Sequence, residues 1–340
     1  MRRTMSSKPT PRGIARWVIA SPYKWVWVAA AVMYVVMLIA TPNAATARSL
    51  ANMMPYFGML AVATLGQAIV VMQRGFDFSL AGIIVLCGLV VAKLTDSGAA
   101  PVPAVVVALA AGVLAGVVNG LLVSWLALTP LVATLASNGL FLGFAYLVSD
   151  GQQIMIPGSL QTFATSRVGG IATSFWIALG VVLVLLVLIR LTAFGRRFVA
   201  TGSNPDAARA AGLPVTRALV SAYSLAGLLF GITGVLIAGN IGAGSSAAGG
   251  TYLMSSISAL LVAGAAVSGT RISLVAAVVG ALFMTMLSQF ILALGASAAV
   301  QGLIQGLVLL GTVAYPNIRL PRRRLRVALP PSPGPRLTAP

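Results

Sequence analysis

Histidine and glutamate are absent from this 340-residue chain, and only four acids occur: Asp77, Asp96, Asp150 and Asp206. Without histidine the chain loses its commonest proton shuttle and metal ligand. With so few carboxylates, general acid–base chemistry has almost no agents left. The single cysteine, Cys87, sits inside an apolar run, so no internal disulfide can form and no cysteine metal site is available. No catalytic residue and no metal site are therefore expected. Charge of either sign is scarce, at 8% of residues against 59% hydrophobic, and mean hydropathy is +1.00. A soluble domain carries about 25% charged residues. This composition cannot cover a water-facing surface, so the solvent of the fold is lipid.

What is present fits that solvent. Ten apolar runs occur, near residues 25–41, 53–73, 79–94, 102–127, 131–148, 173–192, 217–239, 255–270, 272–294 and 300–316. The expected fold class is all-α: a polytopic membrane protein of about ten transmembrane helices, the third, eighth and tenth short, tilted or broken. The 36 glycines allow spanning helices to approach closely. The first run follows a basic tail without a small-residue cleavage pattern, which predicts a retained first span. The expected organisation is a basic tail over residues 1–24, a transmembrane domain over 25–316 and a basic Pro-rich tail over 317–340.

Net charge is +18, and its placement speaks against a nucleic-acid partner. With the N-terminus inside and spans alternating, 19 of the 22 basic residues fall on the inner side. Arg48, Lys93 and Arg167 alone fall outside. That asymmetry follows the positive-inside rule, predicts cytoplasmic N- and C-termini, and suits contact with anionic membrane lipid. Residues 149–170 and 239–252 read as outer loops.

One polar stretch interrupts the hydrocarbon between the sixth and seventh runs: "FGRRFVATGSNPDAARAAGLPV", residues 194–215. Ser203 or Asn204 can cap a helix there, Pro205 suits its first turn, and Asp206 suits its positive end. Ala207, Ala208, Ala210 and Ala211 favour helix, and Gly212 terminates it. Two turns are too short to stand alone. From the residues alone the stretch is either a solvated helical loop or a helix that docks on a partner, with Ala208 and Ala211 facing that partner.

Asp77 lies between the second and third runs. It reads first as a cap, together with Ser79, for the start of the third helix, with Arg74 as a possible ion-pair partner. A gate contact and a solute contact are the alternatives. Asn52, Gln67, Asn119, Asn138, Ser288 and Gln289 read as interhelical hydrogen bonders.

The stretch over residues 193–216 resembles the cytoplasmic coupling segment of permease subunits in ABC-type monosaccharide importers of the ribose/xylose/galactose group. The matching residues are Phe194-Gly195-Arg196, Gly202-Ser203-Asn204, Ala207-Ala208 and Gly212-Leu213. "QRGFDFSLAG" resembles that family's Gly-Ile-Asp-Leu-Ser-Val-Gly signature at Gly75, Asp77 and Ser79. "TPLVATLASNGLFLGFAYLVSDGQQI" resembles its Pro-Phe-Ile-Ala-Thr-Leu segment. The match spans about residues 50–315 and is that of a divergent member. Leu142-Gly143-Phe144 lacks the family's arginine, and "AVSGTRISLVAAVVG" carries a thinned glycine stretch.

The resemblance implies a dimeric importer in the bacterial inner membrane, this chain pairing with a second copy or a paralogue. It implies an ABC ATPase partner, as two copies or a fused double ATPase, and an extracytoplasmic solute-binding protein. ATP and Mg would then sit on the ATPase, and this chain would bind no cofactor. It contains no P-loop lysine of its own. The implied coupling residues are Gly195, Arg196, Arg197, Gly202, Ser203, Asn204, Pro205, Asp206, Ala207, Ala208, Arg209, Ala211 and Gly212, the arginines pairing with partner acids or lipid phosphates. Gly75, Asp77 and Ser79 form the family motif and a candidate gate. An ion- or proton-coupled secondary transporter and a membrane enzyme acting on lipid-linked substrates are the competing readings. Neither finds the acids, histidines or cysteines it would need.

Overall fold

The computed structural model describes residues 23–156, 158–264 and 272–318. The expected tails, and Arg271 with the residues before it, lie almost wholly outside the described residues. Each of the ten apolar runs has its described part mainly in one helix: α1 (Lys24–Ala40), α2 (Ala47–Met72), α3 (Leu80–Asp96), α4 (Pro101–Ser124), α5 (Pro130–Ser149), α7 (Thr173–Leu191), α10 (Val215–Ile241), α11 (Ala248–Val262), α12 (Leu274–Ala293) and α13 (Ala298–Ile318), the end of the eighth run lying outside the described residues. Three short helices, α6 (Gly158–Thr165), α8 (Ala193–Ser203) and α9 (Pro205–Ala210), complete the described set. Proline opens α4, α5 and α9, where its missing N–H costs nothing because no helical acceptor awaits it.

Six helices, α2, α4, α5, α7, α10 and α12, are long and apolar enough to cross a membrane by length and composition. The helices α1 and α11, with the Ala298–Ala314 part of α13, are shorter apolar helices. The structure therefore shows a polytopic all-α membrane protein. The expected outer loops are more ordered than their composition implies. They contain α6 and three two-residue strands, β1 (Ile154–Met155), β2 (Arg167–Val168) and β4 (Ala243–Gly244), with β3 (Ile171–Ala172) just beyond the first loop. The pair β1–β4 ties together two stretches far apart in sequence, Ile154 opposite Gly244, while β2–β3 is a local hairpin.

The centre of the bundle is α2, α3 and α10, with α4 packed against it by one face. The helix α3 is short but continuous, and it is enclosed on nearly every side. Its length reflects a non-helical approach: residues 73–79 enter as irregular backbone inside protein rather than against lipid, where such backbone can be satisfied. The helices α4 and α10 approach through glycine. A methyl at Gly116 would overlap the Tyr223 carbonyl oxygen, and one at Gly227 the Gly112 carbonyl oxygen. The outer helices α5 and α7 present Leu140, Phe144, Leu147, Val184, Val187 and Leu191 outward, an apolar skin suited to lipid.

Candidate coupling site

The stretch between α7 and α10 folds as two helices set end to end. The N-cap of α8 is Thr192, whose hydroxyl accepts from the Gly195 N–H at 3.2 Å. A methyl at Gly195 would overlap the Ile189 carbonyl oxygen, so the tight turn off α7 requires glycine. Phe198 is fully buried, with the Phe194 ring 5.7 Å from its own.

Asn204 serves both helices. Its N–H donates to Ala200 at the end of α8, and its side-chain oxygen accepts from Ala207 N–H at 3.1 Å as the N-cap of α9. Of the two capping candidates it is Asn204 that caps, because Ser203 is still helical and its hydroxyl donates back to Val199. The helix α9 ends at Gly212, φ +75°, with Leu213 N–H donating to Ala208 O at 2.9 Å. That is the six-to-one bond of a Schellman ending, which favours glycine at this position.

The exposed face of α9 carries Ala207, Arg209 and Ala210, and Ala211 just beyond it is exposed too, whereas Ala208 is buried within the chain. The expectation that Ala208 faces a partner is corrected: at this phase of the helix it points inward. Arg209 meets Asp206 on its own helix at 2.6 Å. Both side chains are largely exposed, so the pair adds little stability. Arg196 and Arg197 are exposed, with Arg196 reaching the Leu191 carbonyl at 3.4 Å.

What anchors this unit is the segment after α2. Gln73 donates from Nε2 to the Phe198 carbonyl at 2.7 Å. Arg74, itself in the left-handed region at φ +65°, donates from Nε to Gly202 O at 3.0 Å and from Nη2 to Ser203 O at 2.6 Å. These are the last carbonyls of α8, which lack helical donors and sit at the negative end of the helix dipole. A methyl at Gly202 would overlap the Met72 carbonyl oxygen, so the two backbones touch directly. The considered Arg74–Asp77 pair does not form, because the guanidinium is turned to α8.

Asp77 is fully buried and bound elsewhere. Its Oδ1 accepts from Ser79 N–H at 2.8 Å and from the Ser79 hydroxyl at 2.5 Å. Asn119 of α4 donates to that hydroxyl at 2.7 Å. Gln67 of α2 brackets the Asp77 backbone, donating to its carbonyl at 2.7 Å and accepting from its N–H at 3.2 Å. From α5, Thr134 accepts from Phe78 N–H at 3.0 Å and Asn138 from Gly82 N–H at 2.8 Å. A side chain at Gly75 would meet the Tyr223 hydroxyl of α10 at 2.6 Å. Asp77 Oδ2, Asn119 Oδ1 and Tyr223 OH have no hydrogen-bond partner among the described residues. Ser79 does not cap α3 with its own side chain; Asp77 supplies the acceptor two residues earlier.

Residues 73–79 therefore join α8 at one end to α2, α4, α5 and α10 at the other. Gln73, Thr134 and Tyr223, to which the sequence had given no role, complete the arrangement, and Arg74, expected beside Asp77, joins it at α8 instead. Among the described residues no three His, Cys, Asp or Glu side chains gather as metal ligands.

A glycine-packed helical bundle with an apolar skin and a polar capped helix at one end is that of a multi-pass membrane protein. The chain belongs to the family described as "branched-chain amino acid transport system / permease component", whose model matches residues 49–313. It is similar to the autoinducer 2 import system permease protein LsrC of Yersinia pseudotuberculosis serotype O:1b (strain IP 31758), 31% identical over 258 residues that cover 76% of this chain and 74% of that one. The protein of the same name from Yersinia pestis (strain Pestoides F) is 30% identical over the same shares. No solved structure gives a significant match. The family resemblance drawn from the motifs is borne out.

Proposed function

We propose that this chain is the membrane-spanning subunit of an ATP-driven ABC importer in the bacterial inner membrane, moving a monosaccharide or similar small polar solute by alternating access. Family membership and relatives named for an import system support the permease role. The basic end, with Arg74, Arg196 and Arg209, is read as cytoplasmic. The observation that carries the mechanism is the α8–α9 unit: a capped helix with an exposed small-residue face, held by Gln73 and Arg74 to a buried polar segment. On this reading a partner ATPase grips α9, hydrolyses ATP with its own Mg, and moves α8. Arg74 and Gln73 pass that displacement to residues 75–79, and so to α2, α3, α4 and α10. A second permease copy or paralogue forms the other wall of the path, and an extracytoplasmic binding protein delivers the solute.

The test is assembly. Ala207→Trp and Ala211→Trp lie outside the bilayer on the exposed face, so insertion and abundance are expected to be normal. Co-purification with the partner ATPase, and solute-stimulated ATP hydrolysis, are expected to fall at least tenfold, because a packed interface does not accept the added volume. Unchanged assembly and transport in both variants would make the stretch an ordinary loop and remove the importer reading's mechanistic support.

A further inference from the structure

At the far end of α2 from Arg74 lies a cavity of about 400 Å³ between α2, α11, α12 and α13. From Tyr56 at its rim to Met72 the helix runs roughly 24 Å, at about 1.5 Å per residue. The volume falls in the roughly 300–1,000 Å³ range of small-molecule sites. Its walls concentrate polarity that a membrane bundle otherwise avoids. Ser255 and Thr285 are buried there, and Ser288, Gln289 and Gln301 are half-buried.

Each amide nitrogen spends one of its two N–H groups inside the chain. Gln301 and Gln305, one turn apart on α13, both donate to the Ser288 hydroxyl, at 3.1 and 3.3 Å, and Gln289 donates to Ser49 at 3.2 Å. Gln289 and Gln301 each keep a second N–H and a side-chain carbonyl oxygen for something in the cavity. The outer face of α13, with Leu303, Leu307 and Leu310, is apolar and exposed, so the glutamines mark an inward stripe on that helix. Tyr56 adds a half-exposed aromatic face and Leu60 an apolar floor.

Among the described residues that line it, none is Asp, Glu, Lys or Arg. An ion or zwitterion entering would shed hydration without meeting a counter-charge, which is unfavourable in so apolar a surrounding. A neutral polyhydroxylated molecule meets no such obstacle. Its hydroxyls find carbonyl and hydroxyl partners, and its C–H faces find Tyr56 and Leu60.

We infer that this cavity is the chain's solute site on the translocation path, built for a neutral polyhydroxylated solute and selecting against amino acids. The inference deepens the importer reading and rests on it for the direction of travel.

Because the native thiol at Cys87 is buried, Cys87→Ala gives a background for introduced cysteines. Ser255→Cys and Ser288→Cys probe the cavity, and Leu140→Cys and Val184→Cys probe the apolar skin. The complete transporter in proteoliposomes is treated with a small uncharged hydrophilic maleimide. The treatment is repeated with a mixture of pentoses, hexoses and linear polyols, and with a mixture of branched-chain amino acids. Labelling at positions 255 and 288 is expected at least tenfold faster than at 140 and 184, and slowed at least threefold by the sugar mixture alone. Cavity cysteines labelled no faster than the skin, or unprotected by sugars, would overturn the site. Protection by the amino acids would overturn the solute class. ATP-driven uptake by the unmodified complex is measured separately. Sugar-protected cavity labelling without any ATP dependence would uphold the site and refute the importer.

Discussion

Arg74 shows what one side chain contributes at the basic end. Its guanidinium is a rigid fork, and two of its N–H groups reach two successive carbonyls of α8 at once. A lysine ammonium has no such spacing. Arg74→Lys is expected to keep expression normal while lowering solute-stimulated ATP hydrolysis severalfold, and Arg74→Ala to abolish that stimulation. The intrinsic cost is small, roughly 1 kcal/mol, because the residue is exposed and water replaces the lost bonds. Unchanged stimulation in Arg74→Ala would show that α8 moves without it. Asp77 allows a sharper separation of roles. Asparagine keeps the Oδ1 acceptor that Ser79 uses but carries no titratable proton. Asp77→Asn is expected to retain most transport. Asp77→Leu strands the buried Ser79 donors at about 1–3 kcal/mol for each unmet group, and folded yield should drop. A well-folded Asp77→Asn variant without transport would instead indicate a proton relay at this carboxylate.

At the scale of the helix, glycine has two different meanings in this chain. Gly116 on α4 faces the Tyr223 carbonyl with no room for a methyl, whereas Gly143 on α5 has nothing within 4 Å of where a Cβ would stand. Gly116→Ala forces α4 and α10 apart and is expected to cost roughly 1–3 kcal/mol, read as a fall of several degrees in the melting midpoint of the purified protein in detergent. Gly143→Ala should leave that midpoint unchanged or raise it slightly, since alanine favours helix by up to about 1 kcal/mol. Equal effects at both sites would mean that α4–α10 proximity does not hold the bundle. The same reasoning reassigns the faces of α9. Ala208→Trp would push into the chain's own packing and lower folded yield, so only positions 207, 210 and 211 probe a docking face cleanly.

Over the whole molecule, polarity is segregated by end. Arg74, Arg190, Arg196, Arg197, Arg209 and Arg217 lie where α2, α7 and α10 meet the α8–α9 unit, while Lys93 and Arg167 lie at the end with the strand pairs. The expected orientation follows from this distribution. A reporter fused after Thr201 or at the C-terminus is expected to read cytoplasmic, and one inserted near Gln161 extracytoplasmic. Reversed signals would overturn the orientation and, with it, the assignment of α9 to an ATPase on that side.

Local chemistry accounts for what was legible in the residues. Runs of apolar side chains report helices that need hydrocarbon around them, and the six long apolar helices were visible because hydropathy is summed over neighbours in the chain. The short helix α9 was visible for the same reason: Asn204, Pro205 and Gly212 cap, open and close it through bonds reaching only three to five residues. The family was legible because its motifs are contiguous. The partners of those motifs were not. Arg74 reaches carbonyls 128 and 129 residues away, a relation without periodicity or spacing to reveal it. Its nearness to Asp77 suggested a pair that the fold does not make. The direction of Ala208 depended on how α9 lies against the chain, and the cavity beside Tyr56 depended on four helices packing around it. Hydrogen bonds and voids between helices are set by where whole elements come to rest, and only the tertiary structure decides that.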